Sequence, residues 1–412
     1  MRYFTPCSNS TCDWFESKTQ LLSRRWYASN QILPDDRVIA VGGRRSFNYE
    51  FIPSSPSDRG AFTLPFLPKT NVVGKENNLY PFLYLVPDGN LFIFANNDSI
   101  LLDCKKNQVV KTFPTMPGGG ARSYPSTASS ALLPLDSANN FQKLEIIICG
   151  GSPMGAFTKV RNKKTYVQAL SSCGRMEITS QNPQWQMENM PGPRVMGDML
   201  ILPTGELLII NGARNGTAGW TNGREPELHP LLYNHTEAIG NRFRTMASSR
   251  IPRMYHSNAI VVPDGRVLVA GSNPNVKYQF AGKPFPTELR MEAYIPYYLH
   301  PVYAPRRARI RYISSREIQY GSKFFVSFTV WSLQGGEKIE FHVYAPPFNT
   351  HSMSMNQRML CLASTKFVAT LGYGVYLVTA PPSSLVAPSG YYLLTVVNGG
   401  IPSHAEWVHF SL

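Results

Sequence analysis

The stretch Val195-Met196-Gly197-Asp198-Met199-Leu200-Ile201-Leu202-Pro203-Thr204-Gly205-Glu206-Leu207-Leu208-Ile209-Ile210-Asn211-Gly212 decides the fold. Two apolar runs flank Pro203-Thr204-Gly205, and a glycine closes the unit. Proline presets a negative φ and glycine tolerates a positive one, so the stretch reads as two strands joined by a tight turn. The same unit recurs at Trp26 to Gly43 around Pro34-Asp35-Asp36, at Tyr80 to Asn96 around Pro87-Asp88-Gly89, and at Tyr255 to Gly271 around Pro263-Asp264-Gly265. A degenerate fifth copy spans Tyr124 to Gly151.

Repeats of roughly 50 residues with paired glycines point to blades of a kelch-type β-propeller. A β-sandwich with similar hairpins is the rival reading. After about residue 300 the Pro-Asp-Gly unit disappears and alternating strands follow at Arg309–Tyr312, Phe324–Trp331, Lys338–Tyr344 and Tyr391–Val397. The pattern is that of a small immunoglobulin-like sandwich. The expected organisation is an all-β chain, with a propeller over residues 1–300 and a sandwich over 301–412, linked by the Pro-rich segment Pro301–Arg307.

A chain of 412 residues with 43% hydrophobic and 16% charged content can bury a substantial core. It holds no run of roughly 18 apolar residues that would cross a bilayer, and its first residues have no apolar signal core. Two other features suggest a secreted origin. Cys7 and Cys12 can close a short loop and Cys149 and Cys173 a longer one, although six cysteines in such a length also suit a reduced core. Asn9, Asn97, Asn215 and Asn234 each open an Asn-x-Ser/Thr sequon. The net charge of +14, from 40 Lys and Arg against 26 Asp and Glu, favours polyanions. The basic residues are scattered in short groups without an aromatic nucleic-acid motif, so nucleic acid is not expected and an acidic polysaccharide fits as well.

Four residues carry chemistry. Tyr255 and His256 are adjacent, His351 lies in Asn349-Thr350-His351-Ser352, and Tyr124 lies in Arg122-Ser123-Tyr124-Pro125. Phenolate and imidazole together suit copper(II) in a tetragonal site. Neighbours in a regular strand point to opposite faces, so Tyr255 and His256 reach one ion only if the chain turns there. Without further context such a pair reads as packing beside a surface imidazole, and His351 as a solvated loop residue. His229, His235, His300, His342, His404 and His409 read as surface or packing residues.

Six segments give this chain a resemblance to the glyoxal oxidase and galactose oxidase family of copper-radical oxidases, most nearly of the plant glyoxal oxidase type. They are Arg24-Arg25-Trp26-Tyr27-Ala28, Asn77-Asn78-Leu79-Tyr80-Pro81-Phe82, Arg194-Val195-Met196-Gly197-Asp198-Met199, Gly216-Thr217-Ala218-Gly219-Trp220, Met254-Tyr255-His256-Ser257 and His351 to Arg358. The resemblance implies a seven-bladed propeller capped by a C-terminal domain, one of whose hairpins carries a histidine to a single copper ion. By matching, His351 is that histidine, His256 the other imidazole ligand, Tyr255 the axial tyrosine and proton acceptor, and Tyr124 the equatorial tyrosine that becomes a radical. Trp220 matches a residue that shields the pocket.

The resemblance implies oxidation of small aldehydes of the glyoxal and methylglyoxal type by O2 to carboxylic acids and hydrogen peroxide, by an extracellular or cell-wall monomer. In the family the radical tyrosine is joined to a cysteine by a thioether. That cysteine falls upstream of the segment matching Met1 to Trp14, so the expectation is a truncated chain whose first blade is missing or incomplete, with little turnover. A second reading is a non-catalytic propeller that binds acidic cell-wall polysaccharide or a protein partner.

Overall fold

All five hairpins read from the sequence form, and each supplies the first two strands of a sheet. The computed structural model describes residues 2–5, 7–18, 20–55, 59–72, 77–331, 338–370 and 372–411. The hairpins are Ser29–Ile32 with Val38–Val41, Phe82–Leu85 with Leu91–Ala95, Ser129–Leu132 with Glu145–Cys149, Asp198–Ile201 with Leu207–Ile210, and Ser257–Val261 with Val267–Gly271. Each continues as an antiparallel meander, of four strands in the first four sheets and three in the fifth. Four of the turns share one geometry. The N–H of Asp36, Gly89, Gly205 and Gly265 donates to the carbonyl of Leu33, Val86, Leu202 and Val262 in turn. The donor residue in each lies at positive φ, which explains the glycines, and Asp36 takes that conformation at 64°.

A buried arginine closes four of these units. Arg25, Arg122, Arg194 and Arg253 donate through Nη1 to the carbonyls of Gly42, Gly150, Asn211 and Gly271, just beyond or at the end of the second strand. Apolar clusters fill the gaps between successive sheets, joining the first to the second, the second to the third, and the third to the fourth and fifth. Among the described residues no such cluster joins the fifth sheet to the first. A groove of about 490 Å³ lies there, bordered by Ile32, Ile260, Phe348, Tyr391 and Trp407.

The resemblance implies seven blades with the first missing or incomplete, whereas five such sheets are present among the described residues. Among the described residues the N-terminal strands Arg2–Phe4 and Trp14–Glu16 pair only with each other, and Trp14 and Phe15 are exposed. The Cys7–Cys12 disulfide closes the loop between them. The Cys149–Cys173 disulfide joins facing residues of the third sheet. Within the expected linker, residues Pro301–Arg306 form a 3-10 helix, and Arg306 donates to the Gly399 carbonyl at 2.7 Å.

The C-terminal region is a sandwich. Arg309–Ile313, Lys323–Thr329, Tyr373–Thr379 and Ser364–Thr370 form one sheet, and Ile339–Ala345, Arg358–Leu362, Gly390–Asn398 and Glu406–Ser411 the centre of the other. Phe328, Phe341 and Phe410 are fully buried in the core between them, each worth roughly 1.5–3 kcal/mol of burial. Its second sheet borrows Leu135–Asp136 from the third repeat, paired parallel to Arg358–Leu362.

One hairpin leaves this sandwich and enters the propeller. Its strands are Phe348–Thr350 and Met353–Met355. First strands of the blades have an unpaired edge towards it, and side-chain amides fill those edges. Asn349 Nδ2 donates to Ala259 O at 2.7 Å, while Asn356 Oδ1 accepts from Ile32 N at 2.6 Å and from Gln31 Nε2 at 2.9 Å. Gln357 Oε1 accepts from Ile201 N at 2.9 Å, and its Nε2 donates to Met199 O at 3.2 Å. Removing either amide strands a backbone group, so Asn356→Ala and Gln357→Ala are each expected to lower the unfolding free energy by about 1–3 kcal/mol in urea titration. Unchanged midpoints would show that the amides do not hold the hairpin.

Candidate metal centre

The strand of the fifth sheet begins only at Ser257, and the preceding residues turn. Ser257 N donates to Met254 O at 3.1 Å, and His256 sits at φ 66°. That turn removes the objection that adjacent side chains face opposite ways. The Tyr255 and His256 rings stack with centroids 3.9 Å apart. His256 Nδ1 lies 3.1 Å from the Asn273 carbonyl, which can only accept, so the proton is on Nδ1 and Nε2 keeps its lone pair.

His351 and Ser352 form the tip of the inserted hairpin, at φ 49° and 64°. Two successive left-handed residues are what a two-residue hairpin turn requires. Ser352 Oγ donates to Met196 O at 2.9 Å and fixes the tip. His351 Nδ1 lies 2.7 Å from Thr350 Oγ1 and 3.2 Å from Tyr80 Oη, which leaves Nε2 for another partner. Tyr124 bridges to Leu79 of the second repeat, its N–H donating to Leu79 O at 3.0 Å.

These segments bring the four side chains together. Tyr124 Oη and Tyr255 Oη are 3.0 Å apart, and the His256 and His351 rings are nearly perpendicular with centroids at 4.9 Å. Tyr255 and Tyr124 lie 5.5 and 6.2 Å from the His351 ring, centroid to centroid. Donors at right angles around an ion with bonds of ~2.0 Å stand ~2.8 Å apart, so the phenol oxygens already have the spacing of neighbouring ligands. Among the described residues no group of three or more His, Cys, Asp or Glu could hold a metal. Two imidazoles and two phenols converge instead, a donor set that fits copper(II). Trp220, 47% exposed, lines a cavity of about 630 Å³ together with Tyr124 and Tyr255.

Two further tyrosines belong to the cluster. Tyr27 Oη lies 3.1 Å from Tyr255 Oη, and its ring is 4.6 Å from Tyr124 and 4.9 Å from His351. Tyr80 stacks on Tyr27 at 4.9 Å and bonds His351. Both lay in segments already singled out, without a role. The signal that finds them is position in the repeat: Tyr27, Tyr80 and Tyr255 each sit two residues before the first strand of a sheet.

Burial sets the protonation. His351 is pushed down to about 4, first by desolvation and then by the neighbouring His256. The face of His256 packed on Tyr255 lowers its pKa also, outweighing the Asn273 carbonyl. Desolvation raises Tyr124 and Tyr255 well above an ordinary phenol and Tyr80 to about 12. The metal-free site is thus neutral near pH 7, with free imidazole lone pairs and protonated phenols.

The remaining expected residues lie elsewhere. Cys104 is buried between the first two sheets and Cys361 lies in the C-terminal sandwich, while the other four cysteines are in disulfides. Asn9 and Asn234 each accept from the hydroxyl of their own sequon threonine at 2.7 Å. In the sequons of Asn97 and Asn215 the third residues, Ser99 and Thr217, are fully buried.

Comparison with known proteins gives this geometry its context. Residues 1–298 match the family described as glyoxal oxidase N-terminus, and residues 307–410 the galactose oxidase-like early set domain. Aldehyde oxidase GLOX1 of Arabidopsis thaliana is 45% identical over 99% of this chain and 66% of its own length. Aldehyde oxidase GLOX of Vitis pseudoreticulata is 44% identical over 99% of this chain and 76% of its own. The chain thus spans about two thirds to three quarters of these relatives. A solved fungal alcohol oxidase in complex with copper shares the fold, with a TM-score of 0.58 at 16% identity over 94% of this chain and 85% of that one. With the family match running almost end to end, this chain belongs to the glyoxal oxidase family.

Proposed function

We propose that the protein binds one copper ion through Tyr124, Tyr255, His256 and His351 and oxidises small aldehydes of the glyoxal and methylglyoxal type. The observation that carries this reading is the 3.0 Å approach of the two phenol oxygens beside two neutral, nearly perpendicular imidazoles. The balanced reaction is RCHO + H2O + O2 → RCOOH + H2O2, in which the aldehyde hydrate loses two electrons and two protons and dioxygen gains both.

Bound copper supplies a one-electron acceptor and a Lewis acid for the substrate oxygen. Tyr124 supplies the second hole as a tyrosyl radical, since one metal ion accepts only one electron. Tyr255 Oη, once deprotonated, takes the substrate hydroxyl proton. The Tyr27 and Tyr124 oxygens, at 3.1 and 3.0 Å, offer that proton an exit. His256 and His351 stay neutral and hold position through the Asn273 carbonyl and the Thr350 hydroxyl. Trp220 covers part of the cavity.

Turnover in this chain is slow on this reading, because a tyrosine without a thioether is harder to oxidise and, among the described residues, both free cysteines lie away from Tyr124. Two disulfides and the sequons support a site of action outside the cell. No helix among the described residues is long and apolar enough to cross a membrane.

Titration with copper(II) is expected to give one ion per chain and a phenolate-to-copper absorption band. Loss of outer-shell partners costs metal sites roughly 10–100-fold, so His256→Ala and His351→Ala are expected to weaken uptake by at least ~100-fold. Methylglyoxal is expected to yield hydrogen peroxide slowly. Full uptake by both variants would sink the site, and rapid peroxide release would sink the slow-turnover part.

The metal-free protein has its own pH signature. The unfolded chain protonates His351 near 6.5 and the folded one only near 4. Between these values the unfolded state holds more protons, so stability falls as pH drops through the window. Urea midpoints from pH 7 to 4 should show that loss, and His351→Gln should flatten it. An equal slope in both proteins would show that His351 is not desolvated.

A further inference from the structure

The cavity lined by Tyr124 and Tyr255 has a cationic wall that a neutral aldehyde does not need. Arg44 and Arg45 reach it from the first sheet, and Arg161 from the helix Ala156–Lys163. A second cavity of about 330 Å³ shares Arg44, Arg45 and Trp26 with the first. No Asp or Glu is among the described residues that line either cavity. The Arg44 guanidinium sits 5.2 Å from the Trp26 ring, and that of Arg161 5.8 Å from Phe157. Aromatic faces at these distances attract the cations and orient their planes. An arginine is charged at every relevant pH, and its planar fork matches a carboxylate.

We propose that Arg44, Arg45 and Arg161 form a carboxylate subsite at the mouth of the copper-site cavity. The preferred substrate carries a carboxylate apart from the carbonyl that is oxidised, and this rests on the aldehyde-oxidase reading above. Two sources share that chemistry. One is a small oxo acid. The other is the reducing end of a uronate saccharide, for which Trp26 and Trp220, 54% and 47% exposed, give flat faces on which a sugar ring can stack.

The test is ligand binding to the metal-free protein, read by tryptophan fluorescence at low salt. Glyoxylate is compared with glycolaldehyde, and digalacturonate with neutral galactobiose. At least one acid is expected to bind about tenfold tighter than its neutral counterpart, with the preference falling as salt screens the charges. Arg44→Gln, Arg45→Gln and Arg161→Gln lie at exposed positions and should each reduce the preference, and the triple variant should abolish it with an unchanged circular dichroism spectrum. Selectivity for glyoxylate alone identifies a small oxo acid, and tighter binding of digalacturonate identifies a saccharide. Equal binding of acid and neutral ligands, or a preference that survives in the single variants, overturns the subsite. Because copper is absent, a failure of copper uptake would remove the oxidase reading and leave this measurement intact.

Discussion

The site depends on how the unpaired inner edges of the blades are satisfied. A blade's first strand presents N–H and C=O groups with no neighbouring strand, and burying them bare costs as much as losing the bonds. The hairpin from the C-terminal sandwich meets that requirement with side-chain amides, Asn349 on the fifth sheet, Asn356 on the first and Gln357 on the fourth. A hairpin fixed at three sheets has little freedom at its tip. His351 is that tip, so the position of one imidazole follows from hydrogen bonds made by residues outside the cluster.

The repeat supplies the other half of the geometry. Arg25, Arg194 and Arg253 each stand two residues before Tyr27, Met196 and Tyr255, and each spans its own blade to a carbonyl after or at the end of the second strand. These clamps set the height of the residue that follows. One structural unit repeated around an axis therefore brings several equivalent positions to a common centre, and tyrosine at three of them yields a crowded phenol cluster. Tyr27 and Tyr80 are structural repeats of Tyr255 as much as they are its partners.

Much of this was legible in the amino acids. Pro-x-Gly turns identified three of the hairpins and Pro34-Asp35-Asp36 a fourth, because turn chemistry is local, while the degenerate copy from Tyr124 to Gly151 was legible only by analogy with them. The count of complete sheets was not legible, since a hairpin does not say how many blades accompany it. Nor was the parallel pairing of Leu135–Asp136 with Arg358–Leu362, because two-residue periodicity does not name a distant partner. Tyr124, Tyr255, His256 and His351 were singled out through resemblance. Read alone, the Tyr255-His256 pair was ambiguous until the left-handed His256 showed how both rings share one side. Tyr27 and Tyr80 escaped because their role appears only when the repeat is superposed on the axis.

The protonation of the metal-free cluster bears on which ion it can accept. Two neutral imidazoles and two protonated phenols carry no charge, so the partly buried cluster holds no unpaired ion before binding. A divalent cation that displaces both phenol protons leaves the net charge at zero. The exchange avoids the cost of isolating +2 in a low-dielectric pocket, and it makes binding release protons, so affinity rises with pH. A monovalent ion could displace only one phenol proton at the same net charge, and would leave the other oxygen protonated and 3.0 Å from the phenolate. At the proposed site, charge neutrality across the exchange would therefore favour a divalent ion that tolerates oxygen and nitrogen together, which is the preference of copper(II).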